Sequence, residues 1–86
     1  MDANQGEIVK ALRAVGATVQ SVAAVGKGCP DILIGWRGLN FLAEIKDGKK
    51  PPSSRKLTPL ESEWHKAWAG QVAIVKDVDE ALALLD

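Results

Sequence analysis

The sequence predicts an α/β fold, a mixed four-stranded sheet flanked by helices in the order αβββαβα. Three observations carry this prediction. Apolar residues recur at helical spacing near the N-terminus and again after residue 58. Short runs of strand length, rich in β-branched and apolar residues, fill the stretch between. A hairpin signal sits at the centre of that stretch. At 86 residues the chain can bury one core but not two, so a single domain over 1–86 is expected.

Each element has its own local reason. Ile8, Val9, Leu12 and Val15 share one face of a helix over 4–15, which Gly16 ends at a C-cap position. Residues 17–25 (ATVQSVAAV) read as a strand, and Gly26, Gly28 and Pro30 then break the chain. Residues 31–36 and 39–46 are two apolar runs joined around Arg37-Gly38. Arginine is not favoured at the first central position of a tight primed turn, so a longer loop with the same centre stays open. Residues 47–56 (DGKKPPSSRK) form a polar loop. Thr58 at N-cap, Pro59 at the first helical position and Glu61 at N3 open a helix that runs to about Ala69 and stops at Gly70. Leu60, Trp64 and Trp68 recur along it at i, i+4 and i+8, a stripe that reads as core or subunit interface rather than as a base-stacking platform. Residues 71–75 form the fourth strand, and Asp77, with Glu80 at N3, caps a last helix reaching Leu85.

Composition excludes several classes. Charged residues make up 26% and hydrophobic residues 47%, the balance of a soluble globular chain rather than a disordered one. No apolar run approaches the ~18 residues of a membrane span. The N-terminus lacks the basic and apolar regions of a signal peptide. The single cysteine, Cys29, has no partner for an intramolecular disulfide and reads as an inert turn residue, so a reducing, cytoplasmic compartment is expected. Net charge is zero but unevenly spread. Lys27, Arg37, Lys46, Lys49, Lys50, Arg55 and Lys56 outnumber Asp31, Glu44 and Asp47 in the middle of the chain, whereas the end from Glu61 onward is acidic. A basic middle of this kind can steer a polyanion to one surface.

The chemistry gathers around Pro30-Asp31 and Glu44-Ile45-Lys46. Alternation along a strand points Glu44 and Lys46 to the same side. If the hairpin is centred between Arg37 and Gly38, Asp31 lies directly opposite Glu44 and shares its face. Two carboxylates about 5 Å apart repel by roughly 3 kcal/mol at an effective dielectric near 20. Lys46 compensates in part, and a hard divalent metal would supply the rest, since oxygen ligands suit Mg²⁺ and Mn²⁺. An acid pair, a lysine and a basic surface together suit metal-assisted phosphodiester hydrolysis.

The order GCPD (28–31), thirteen residues on to Glu44, and then E-x-K (44–46) resembles the PD-(D/E)XK nuclease superfamily. Small size, Gly28-x-Pro30-Asp31 and downstream Leu57-Thr58-Pro59 narrow the resemblance to its VRR-NUC (virus-type replication-repair nuclease) family. The resemblance covers nearly the whole chain. It implies a restriction-endonuclease-like core and a metal-dependent DNA endonuclease, acting on branched DNA or four-way (Holliday) junctions in a bacterial or phage-infected cell. It also implies a role for each matching residue. Asp31 and Glu44, with the backbone carbonyl of Ile45, would hold Mg²⁺ or Mn²⁺. Lys46 would serve the attacking water and the phosphate. Glu7, on the first helix, falls where such nucleases carry an acidic residue and is a candidate outer ligand. The family usually has glutamine where this chain has Glu61, which is thereby both a helix-capping residue and a possible auxiliary one. Lys27, Lys49, Lys50, Arg55 and Lys56 are the candidate DNA contacts. His65, on a polar helix flank, is given no role as a general base. The apolar stripe and the marginal size of the chain favour a homodimer. The alternative is a non-catalytic nucleic-acid-binding or protein-interaction module on the same fold.

Overall fold

Alternation along the central strands decides which side of the sheet becomes core. In the computed structural model, which describes residues 3–86, β2 (Ile32–Trp36) and β3 (Leu39–Ile45) form an antiparallel hairpin. The first two residues of the expected domain lie outside the described part. β1 (Thr18–Ser21) pairs antiparallel with β2, and β4 (Ala73–Val75) pairs parallel with β3, giving the order β1-β2-β3-β4. Residues opposite one another on a ladder share a face, so Ile32, Ile34, Ala43, Ile45 and Val75 point the same way. They meet Ile8 and Leu12 of α1 (Gln5–Ala14) and Ala81 of α3 (Val78–Ala83) in the core. Each fully buried branched side chain there contributes roughly 1.5–3 kcal/mol. The other face carries Leu33, Leu42, Glu44 and Ile74. On that side lies α2 (Pro59–Ala67), the crossover between parallel β3 and β4, which buries none of its own residues.

The order αβββαβα and the mixed four-stranded sheet are as the sequence predicts. The hairpin turn is the tight one: Arg37 and Gly38 have φ of 50° and 80°, positive at both central positions. The Arg37 guanidinium lies over the Trp36 ring, 4.9 Å from the centroid, a contact worth about 0.5–1 kcal/mol that offsets part of the cost of its positive φ.

Three predictions need correction. The strand expected over 17–25 ends at Ser21, because β2 begins only at Ile32 and the pair Ser21↔Ile32 is the last rung. Beyond it the chain turns through a short 3-10 helix, Ala23–Val25, and Val22 N–H reaches across to the Asp31 carbonyl at 3.0 Å. The polar loop likewise contains a 3-10 turn, Pro52–Arg55. Finally, the Leu60/Trp64/Trp68 stripe is not core. α2 stops at Ala67, Leu60 is 58% exposed and Trp68 46%, and the two indoles stack on each other with centroids 4.7 Å apart.

Gly28 does what a glycine alone can do here. Its φ is +85°, and a Cβ on it would run into the main-chain carbonyl of Leu60 in the first turn of α2. The Gly28–Pro30 segment is thus seated against the helix backbone itself. Gly38 shares the positive φ but faces open space. Gly38→Ala should therefore cost about 1–2 kcal/mol, and Gly28→Ala roughly 1–3 kcal/mol more, read as the difference between their urea midpoints. Equal midpoints would show that the loop–helix contact is not a tight one.

Candidate active site

The register that pairs Ile32 with Ala43, carried one residue further, sets Asp31 opposite Glu44. Pro30, fully buried, leads into the strand where a missing N–H leaves no rung unpaired. Asp31 is clamped to β3 at both main chain and side chain. Its N–H donates to the Ala43 carbonyl at 3.1 Å, and its Oδ2 accepts from Ile45 N–H at 2.7 Å. A strand residue presents its N–H and C=O to the same neighbour, so the Ile45 carbonyl faces the Asp31 side as well.

Glu44 is 2% exposed, and its Oε1 is buried with no hydrogen-bond partner. An ionised carboxylate in such a place costs several kcal/mol, so the side chain keeps its proton instead. Burial pushes Glu44 up to about 9 from an ordinary 4.5. A hydrogen bond with Asp31 and the charges of Asp31 and Glu61 add to the rise, and Lys46 works against it. Cys29 feels the same surroundings: burial, then the charges of Glu44 and Asp31, raise its thiol pKa and keep it protonated.

Lys46, two residues along and on the same face, is also buried. Its Nζ donates to Glu61 Oε1 at 2.8 Å. The same oxygen accepts Thr58 N–H at 2.8 Å, while Thr58 Oγ1 accepts Glu61 N–H at 3.2 Å, which is the predicted capping box. Burial alone would raise the Glu61 pKa, but the hydrogen bonds from Lys46 and Thr58 outweigh it and hold the carboxyl below its usual range. Capping and site contact, alternatives in the sequence, are made by one atom.

One turn further along α2, His65 also enters the site. Its Nε2 is buried without a hydrogen-bond partner and lies 3.9 Å from Glu44 Oε1. The sequence reading missed it. The available signal was its place four residues after Glu61, since residues so spaced share a helix face.

Other predicted residues stand apart. α1 covers the core face of the sheet, and Glu7 is exposed on it. Glu7 lines a separate cavity of about 290 Å³ with Asn4, Asp47, Lys49 and Arg55. Lys27, Lys49, Lys50 and Lys56 are exposed, whereas Arg55 is half-buried with an unpartnered Nε. A larger cavity, about 470 Å³ between α1 and β1, includes none of the acid–lysine group.

Among the described residues, no three His, Cys, Asp or Glu side chains are gathered closely enough to hold a metal unaided. A hard cation that keeps several of its waters needs fewer protein ligands. Asp31, Glu44 and the Ile45 carbonyl are oxygen donors of the right kind, and Glu44 Oε1 is a buried atom in want of a partner.

This architecture has a counterpart among solved structures. A structure described as a VRR_NUC domain superposes with a TM-score of 0.66, over 96% of this chain and 95% of that one, at 22% identity. This chain has the VRR_NUC fold. No family model and no curated protein matches it. The architecture expected from the sequence is thus the observed one, and the fold as built here puts Glu44, Lys46, Glu61 and His65 on the sheet face opposite the core.

The buried acid makes a prediction about pH. Unfolded, Glu44 ionises near 4.5; folded, it holds its proton to about 9. Between those values unfolding releases a proton, so the metal-free protein loses stability as pH rises through that window. Glu44→Gln keeps a donor for Asp31 and removes the group that ionises on unfolding. It should raise the metal-free Tm at pH about 8 and flatten the fall in Tm above neutrality. A wild-type Tm that does not fall from pH about 6 to about 8 would contradict the protonated Glu44.

Proposed function

We propose that this chain is a divalent-metal-dependent DNA endonuclease of the VRR-NUC family, hydrolysing phosphodiester bonds in branched or four-way-junction DNA. The observation that carries the reading is the buried Glu44 carboxyl, hydrogen-bonded to Asp31 but with Oε1 left unpartnered, and the Lys46 ammonium near it. Such a group is poor for stability without a ligand and well suited to one. The likeness to a VRR_NUC domain structure supports the nuclease assignment.

In this reading Asp31, Glu44 and the Ile45 carbonyl hold Mg²⁺ or Mn²⁺. When bound, the ion supplies Lewis-acid activation and neutralises charge at the phosphate. Asp31, locked by Ile45 N–H, would offer its remaining oxygen, and Glu44 would ligate as the carboxylate, its proton released to solvent. Lys46, steered by Glu61, donates from Nζ to the attacking water or to a phosphate oxygen. Its burial limits its swing and favours an in-line arrangement at phosphorus. Lys27, Lys49, Lys50, Arg55 and Lys56 contact phosphates with little base preference.

Exposed Leu60, Trp68 and Ile74 lie on the α2 side of the sheet, and they favour two copies joined across that face. Two sites in a fixed relation would suit the approximate two-fold symmetry of a four-way junction.

A cleavage panel of linear, flap, splayed and four-way DNA with Mg²⁺ or Mn²⁺ tests this. Branched substrates should be cut, junctions with paired symmetric nicks, and EDTA should stop the reaction. Asp31→Ala should lose about 10²–10³-fold or more in rate while remaining folded, and Lys46→Ala should lose at least as much in rate while also weakening the seat of α2. Undiminished metal-dependent cleavage by Asp31→Ala would remove the site assignment. Binding gives a separate check. In an inactive Asp31→Ala background, neutralising Lys49, Lys50 and Lys56 together should flatten the slope of log K against log salt by about 0.9 for each phosphate that is no longer neutralised. An unchanged slope would mean that DNA docks elsewhere.

A further inference from the structure

We propose that His65 is a nitrogen donor to the cation at Asp31 and Glu44, and that it tilts this centre from Mg²⁺ and Ca²⁺ toward Mn²⁺, Co²⁺ and Zn²⁺. This inference rests on the metal-dependent reading above. It starts from two orphaned atoms. Glu44 Oε1 and His65 Nε2 are both buried, both without a hydrogen-bond partner, and 3.9 Å apart. Their side chains are 3% and 14% exposed. A buried polar atom without a partner is destabilising, and here two such atoms face each other.

The separation is informative. It is well beyond the 2.7–3.2 Å of a direct hydrogen bond. Two coordination bonds of about 2.1 Å at a tetrahedral angle set their donor atoms about 3.4 Å apart, so one ion can join both atoms once they close by about half an ångström. Asp31 already bonds Glu44, and an ion would have to draw the three donors closer than they stand. The helix permits this on its own side, since α2 buries no residue and is held near the site by the Glu61–Lys46 pair.

Donor chemistry then sets the preference. Carboxylates and a carbonyl alone suit Mg²⁺, Ca²⁺ and Mn²⁺, whereas an imidazole adds affinity for later first-row ions. The same helix turn that carries Glu61 to the lysine thus carries a softer ligand to the acid pair.

His65 is the one histidine of the chain, so its imidazole can be observed without assignment ambiguity. Zn²⁺, Mn²⁺ and Mg²⁺ are titrated, without DNA, into the wild-type chain, His65→Gln and Glu44→Gln. Binding is followed by calorimetry, and the imidazole ¹⁵N resonances are followed with Zn²⁺ and Mg²⁺. The wild type should bind Zn²⁺ and Mn²⁺ more tightly than Mg²⁺, and Zn²⁺ should shift the Nε2 resonance. His65→Gln should lose about 10-fold or more in Zn²⁺ and Mn²⁺ affinity and little in Mg²⁺ affinity. Glu44→Gln should weaken all three ions. If His65→Gln binds every ion like the wild type, or the Nε2 resonance does not move while Glu44-dependent binding persists, the histidine is not a ligand and the carboxylate centre stands. Equal losses for Mg²⁺ and Zn²⁺ in His65→Gln would also overturn the proposal, by making His65 a packing residue. If no ion binds, or Glu44→Gln binds like the wild type, the metal centre itself fails and takes this inference with it.

Discussion

Glu61 Oε1 accepts hydrogen bonds from both Lys46 Nζ and Thr58 N–H, and the placement of α2 follows from that double acceptance. The helix buries none of its residues, so apolar burial does little to orient it. It is fixed by a charge-assisted contact to β3, by its own capping box and by the close seat of Gly28 against its first turn. Exposed ion pairs contribute about 0–1 kcal/mol; this pair has side chains only 11% and 18% exposed, where the loss of one partner is felt far more strongly. Local helix initiation and tertiary docking thus share one carboxylate, and neither can be disturbed without the other.

The two faces of the sheet divide the work. One is dry and apolar, with α1 and α3 packed on Ile32, Ile34, Ala43, Ile45 and Val75. The other carries a carboxyl that keeps its proton because it is buried beside a second carboxylate. A core of this size cannot tolerate many such positions, since the margin of a small domain is only a few kcal/mol. The cost at Glu44 falls at one end of β3 and is offset partly by Lys46, while the α1 face contributes stability.

Much of this arrangement was legible in the sequence, for reasons that can be named. A two-residue turn fixes a hairpin register completely, so centring the hairpin on Arg37-Gly38 set Asp31 opposite Glu44, although arginine left the tightness of the turn open. Alternation then put Lys46 on the same side, and Thr58-Pro59-Leu60-Glu61 announced the helix start. What was not legible depends on partners distant in the chain. Nothing local in 17–25 says that β2 is too short to pair beyond Ser21. The spacing of Leu60, Trp64 and Trp68 shows a stripe but not whether anything covers it. His65 reads as a polar flank until the crossover helix is laid on the sheet and its nitrogen faces Glu44. Glu7 matches a motif position, yet its helix packs on the opposite face.

The close approach at Gly28 also bears on how this chain can change. Side-chain clashes are commonly relieved by a smaller residue at the partner position, which leaves a pair of sites free to drift together. At Gly28 the partner is the main-chain carbonyl of Leu60, and every amino acid carries that carbonyl. No replacement at position 60 makes room for a Cβ at position 28, so second-site suppressors must move the loop or the helix as a whole. Moving the helix would carry Glu61 and His65 away from Lys46 and Glu44, so a suppressor of that kind would restore the fold at the expense of the chemistry.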